Sequence, residues 1–186
     1  MAAIGRGILL AAILAVSPLD ARAGHTPEMG LKPGQVYNLW TNINACLLAF
    51  AGIVSDDPDW HEELAAMPAE SFPGKRPADV LAQVDRYRAR LDRLRHLAEL
   101  TPTQRGPKDQ AHITHSDVYL TSSEVLHAQV ELLIRFTGPE QLVSQFYVRH
   151  REDEKTPSQV FALVELASRR LEQILANIGP LNAPTE

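Results

Sequence analysis

The side chains with most chemistry to offer in this sequence are histidines and tyrosines. His112-x-x-His115, with His127 further along and His61 beside Glu62 and Glu63, presents imidazoles suited to zinc, copper or nickel. Two histidines three apart with no defined third ligand make an incomplete site, so His112 and His115 carry metal binding only as an alternative reading. A second set lies on or beside apolar seams of helical spacing: Tyr37, Asn44, Tyr119, Glu124, His127 and Gln129. If these side chains converge, they line a small polar pocket of the kind that bundles build between helices. They are the candidate ligand-binding residues.

The remaining motifs exclude more than they offer. There is no GxSxG, no P-loop, no HExxH and no pair of Glu-x-x-His motifs of the di-iron kind. The absence of CxxCH removes covalently attached c-type haem. The chain is therefore expected to be non-enzymatic, with no cofactor implied. Asp56, Asp57 and Asp59 cluster, but Pro58 interrupts the spacing of a calcium loop, and Asp57 reads as the cap of a short helix. Cys46 is the single cysteine, so no intramolecular disulfide can form. Set among Ile43, Leu47, Leu48 and Phe50, with no basic neighbour to lower its pKa, it reads as a small buried hydrophobe. Leu100-Thr101-Pro102-Thr103-Gln104-Arg105 resembles the LTxxQ motif of the Spy/CpxP family of periplasmic helical chaperone and metal-stress proteins. The likeness covers six residues, occurs once and runs into Gly106-Pro107, and a four-part repeat is not that family's pattern, so no family is assigned.

The elements that would position these residues announce themselves by repetition. Pro33-Gly34-Gln35-Val36-Tyr37 returns as Pro77-Ala78-Asp79-Val80-Leu81, His115-Ser116-Asp117-Val118-Tyr119 and Pro157-Ser158-Gln159-Val160-Phe161, each time opening a run of helical period. Proline suits a helix's first position, where its missing N–H would lack a partner anyway. The spacing predicts long helices over 34–53, from Pro77 through Leu94, from His115 through Phe136, and from Pro157 to Ile178. Short helices are expected in two linkers, one capped by Asp57 and one opened by Thr137-Gly138-Pro139-Glu140. The first and third helices align at one offset (Val36 with Val118, Tyr37 with Tyr119), and the second and fourth at another (Pro77 with Pro157, Leu91 with Leu171). The expected architecture is all-α: an antiparallel, up-down-up-down four-helix bundle built from a duplicated helical hairpin, with halves at about 31–100 and 113–180. That arrangement sets Tyr37 and Tyr119 at one end and Leu81 and Phe161 at the other. Arg86, Arg88, Arg90, Arg93 and Arg95 are expected on a solvated face of the second helix.

Residues 1–23 read as a cleaved secretory signal peptide: Arg6 ahead of an apolar run from Ile8 to Val16, then Ala21-Arg22-Ala23. The run is too short to span a bilayer. Residues 24–186 would then form one four-helix-bundle domain, periplasmic or secreted, with no integral membrane segment. A formal net charge of −5 over 186 residues, with no basic cluster, argues against nucleic acid as a partner. The leading expectation is an exported helical binding or accessory protein with an unknown small ligand or protein partner; the oligomeric state is left open.

Overall fold

The computed structural model describes residues 29–103, 112–138, 143–148 and 154–178, so the signal-like segment lies outside the described residues. All regular structure among them is helical: α1 (Pro33–Val54), α2 (Pro58–Ala66), α3 (Pro77–Leu97), α4 (His115–Thr137), a 3-10 helix (Val143–Tyr147) and α5 (Pro157–Asn177). Thr137 does not open a new helix as its spacing suggested. It closes α4, its hydroxyl donating to the Leu133 carbonyl at 2.9 Å, and Gly138 follows with φ 81°.

The repeated phrase sets all four long helices going in the same way. Its third residue folds back to accept the backbone N–H of the residue before the helix: Lys32 N–H to Gln35 Oε1, Arg76 N–H to Asp79 Oδ2, Thr114 N–H to Asp117 Oδ2 and Thr156 N–H to Gln159 Oε1, at 2.8–2.9 Å. Each bond satisfies one donor at a helix start. The fourth residue, Val36, Val80, Val118 or Val160, turns inward and is buried in every copy. The predicted seams are the observed core, with Trp40, Ile43, Val84, Tyr87, Leu91, Leu94, Val125, Val164, Ala167, Leu171 and Ile174 excluded from solvent.

Helix directions depart from expectation. Along α1 and α4, Trp40 meets Ser122, Ile43 meets Gln129 and Phe50 meets Phe136, so both chains advance together. Along α3 and α5, Gln83 meets Ser168 and Arg90 pairs with Glu172. Along α3 and α4, Arg88 faces Glu124 and Arg95 faces Glu131. Tyr37 lies under Lys155 while Asn44 reaches the Leu163 carbonyl, which gives α5 the direction of α1. The four long helices are therefore parallel, not up-down-up-down. Each is packed against two others in the ring α1–α4–α3–α5, which puts α1 and α3 on one diagonal and α4 and α5 on the other. Neither half is a hairpin, and Leu81 and Phe161 share the end that holds Tyr37 and Tyr119.

The reason lies in the connections. Antiparallel neighbours go with short loops, whereas 55–76, 98–114 and 138–156 are each long enough to return over the roughly 30 Å of a helix. The described parts of these crossovers are fastened as they descend. Arg170 donates to the Leu64 and Ala65 carbonyls at the end of α2, Arg169 to the Pro68 carbonyl, and Phe72 packs edge-on against Phe161. Arg95 donates to the Thr101 carbonyl, and Asp92 accepts from Thr103. Asn42 donates to the Val148 carbonyl at 2.9 Å. Arg88 and Arg95 are thus buried working groups rather than members of a solvated face.

Candidate functional site

A half-enclosed cavity of about 150 Å³ opens where α1, α4 and the third crossover meet. Three carboxamides, Gln35, Asn38 and Asn42, project from one stripe of α1 at the i, i+3, i+7 spacing that puts residues on one helical face. Tyr119 on α4 and Tyr147 at the end of the 3-10 helix supply two phenols, and Leu39 and Leu126 form the floor. The bond from Asn42 to Val148 holds the crossover against α1 and so shapes the wall that carries Tyr147. Partial burial, with a smaller contribution from Cys46, pushes the Tyr147 phenol above its ordinary value, so it stays a hydrogen-bond donor at neutral pH. Gln35 lines the cavity and spends its carbonyl oxygen on the cap of α1, so only its NH2 is left to donate.

Of the six predicted ligand residues, Tyr119 alone lines this cavity; the structure does not gather the others around it. Tyr37 turns to the opposite side, its ring 4.7 Å from the Lys155 ammonium. Asn44 is buried and ties helices together, donating to the Trp40 and Leu163 carbonyls and accepting from Arg170 at 2.9 Å. Gln129 is buried too, donating to the Ile43 carbonyl, while its Oε1 has no hydrogen-bond partner among the described residues. Glu124 and His127 come together elsewhere, lining a second, somewhat more open cavity of about 540 Å³ with Arg95, Thr103 and Glu131. They form one Glu-x-x-His on the outer side of α4, with Glu124 paired to Arg88 at 3.4 Å; a di-iron bundle needs two such motifs facing inward.

The histidine pair divides at the entry to α4. His112 is exposed in the segment before the helix, and His115 is half-buried as its first residue. Among the described residues no three His, Cys, Asp or Glu side chains gather as metal ligands would. Cys46 is wholly buried, and desolvation pushes its thiol up to about 12. No helix among the described residues is long and apolar enough to cross a membrane.

Sequence reasoning missed Gln35, Asn38, Asn42 and Tyr147. The amide stripe was visible as three polar residues at helical spacing bordering an apolar seam. Tyr147 carried no such signal, because its place depends on where the crossover is pinned. Compared with family models, curated proteins and solved structures, the chain matches none of them.

Proposed function

We propose that this chain is an exported, non-enzymatic binding module whose ligand sits in the cavity between α1, α4 and the third crossover. The supporting observation is that cavity itself: three carboxamides and two phenols around a small apolar floor, on a rigid helical frame. An enzyme would call for converging titratable groups, and among the described residues no carboxylate, histidine, lysine or arginine lines this cavity. A secretory reading of residues 1–23 agrees with a chain that keeps its one cysteine buried and uses no disulfide. Exported protein beginning at Gly24 is the expected result of N-terminal sequencing; retained Met1 would refute export by cleavage.

The duplication belongs to the same proposal. The two alignment offsets are supported by a shared device: Ser116, second residue of α4, accepts the Met29 N–H, and Ser158, second residue of α5, accepts the Lys75 N–H. In each case the later copy fastens the chain entering the earlier one.

Binding is tested by NMR screening of small polar compounds against the parent and an Asn38→Trp variant that fills the cavity. Shift changes confined to Gln35, Asn38, Asn42, Tyr119 and Tyr147, and lost in the variant, are expected. Compounds that bind the variant as well as the parent would place the site elsewhere. The alternative, metal handling through His112 and His115, is tested by calorimetric titration of zinc and copper against the parent and the His112→Ala/His115→Ala double variant.

A further inference from the structure

We infer that the outer face of α3 is a docking surface for α2 of a second copy of this chain. This goes beyond the binding reading above and does not depend on it. α3 packs on α4 and α5, and the side turned away from them is in solvent. Ala82, Arg86, Ala89 and Arg93 follow one another there at steps of four, three and four, the period of a stripe that can meet a second helix, and all four are exposed. The acids of α3 are engaged to either side: Asp79 with its own cap, Asp85 with Arg88 and Asp92 with Thr103. The two arginines of the stripe are not. Among the described residues Arg93 has no hydrogen-bond or ion-pair partner, and Arg86 reaches only the uncharged Gln83 side chain at 2.8 Å. In a chain of net charge −5, two uncompensated guanidiniums about 10 Å apart along one helix are a local exception.

The complement lies on α2. Leu64 buries the inner side of that helix, and Asp59, Glu62 and Ala66 fall on the opposite side at i, i+3 and i+7, with Glu63 beside them, all exposed. None of these three carboxylates has an ion-pair partner among the described residues. The helix that carries them is firmly held: Arg170 donates to the Leu64 and Ala65 carbonyls, and the His61 ring lies 3.3 Å from the Ala51 carbonyl. Small residues mark the centre of both faces, Ala82 and Ala89 on one and Ala66 on the other. Two helices can therefore approach closely while the arginine forks reach round to carboxylates spread over about 6 Å of α2. α2 lies against α1, diagonally across the ring from α3, so the two faces of one copy address different neighbours. The contact is heterologous, and it builds a series of copies rather than a symmetric pair. Exposed ion pairs contribute little singly, so the association is weak and sensitive to salt.

Sedimentation velocity of the exported chain, from micromolar to millimolar concentration, tests this. In about 20 mM salt, where charges are felt over roughly 20 Å, the sedimentation coefficient is expected to rise with concentration, and the rise should fade by about 0.5 M. Two double variants, Arg86→Glu/Arg93→Glu and Glu62→Lys/Glu63→Lys, change only exposed side chains. Each should weaken self-association about tenfold by setting like charges against each other, with helicity by circular dichroism unchanged. An equal mixture of the two should recover association, because each variant keeps the parental face that the other has lost. No concentration dependence at low salt overturns the inference, as does association that either variant leaves intact. Loss in both variants without recovery in the mixture separates α3 from α2 and overturns it equally. None of these outcomes bears on the cavity reading, since the four substituted residues do not line that cavity.

Discussion

Glu99 is the one non-glycine among the described residues with positive φ, at 59°. It occupies the left-handed position that ends α3: its N–H reaches the His96 carbonyl, and Leu100 N–H reaches that of Arg95 at 2.9 Å. Glycine tolerates this conformation without the Cβ clash, so Glu99→Gly should raise stability by about 0.5–1 kcal/mol in chemical denaturation. Cys46 makes a pH prediction. Its folded thiol titrates near 12 against an ordinary 9.0, so burial contributes stability that is fully present below pH 9. Above pH 9 the unfolded thiol ionises and the folded one does not, and stability should fall by up to about 1.4 kcal/mol per pH unit. Cys46→Ala should flatten that alkaline loss when unfolding is followed across the range; an unchanged slope would assign it to other groups. Trp40 and Ser122 show how much one residue pair can hide. In the sequence they look like a broken repeat, but they face each other across two parallel helices, where the small residue makes room for the indole and accepts its N–H at 2.8 Å.

At the scale of elements, buried guanidiniums fix the crossovers to the helices. Arg170 supplies all three of its nitrogens to fixed acceptors, the carbonyls of Leu64 and Ala65 and the side chain of Asn44. Removing it would strand those groups, so Arg170→Ala should cost about 1–3 kcal/mol for each acceptor left both buried and unpaired, read in denaturant unfolding. Arg170→Lys should rescue little, because a point charge cannot serve three acceptors set for a planar fork. The helices themselves were legible: their starts carry proline and a capping side chain, and their seams keep period. The role of the arginines was not. Charge spacing alone places Arg88 and Arg95 beside solvent, and only the returning chain and α4 cover them. The candidate ligand residues were dispersed for the same reason. Asn44 and Gln129 were read as pocket groups because polar residues on a seam look alike whether they bind a ligand or another helix.

For the whole molecule the decisive property is direction. Spin labels at Lys32→Cys and Arg76→Cys, both exposed, in a Cys46→Ala background test it. Parallel helices put these starts at one end, separated by the bundle's width, whereas an antiparallel pair would hold them about 30 Å apart along the axis, beyond label uncertainty in pulsed EPR. Four aligned helix dipoles carry a modest repulsive cost at each end. Acidic first-turn residues Asp79 and Asp117 and the four capping bonds offset it where the positive ends gather. The helical class, the helix starts, the buried seam and the burial of Cys46 can be read from the residues alone, because each follows from local period, capping chemistry or composition. Which helices lie side by side, which way they run and which polar residues share a cavity emerge only once the chain has folded. Those depend on crossovers long enough to permit either direction, and on where distant side chains such as Arg170 and Asn42 pin them.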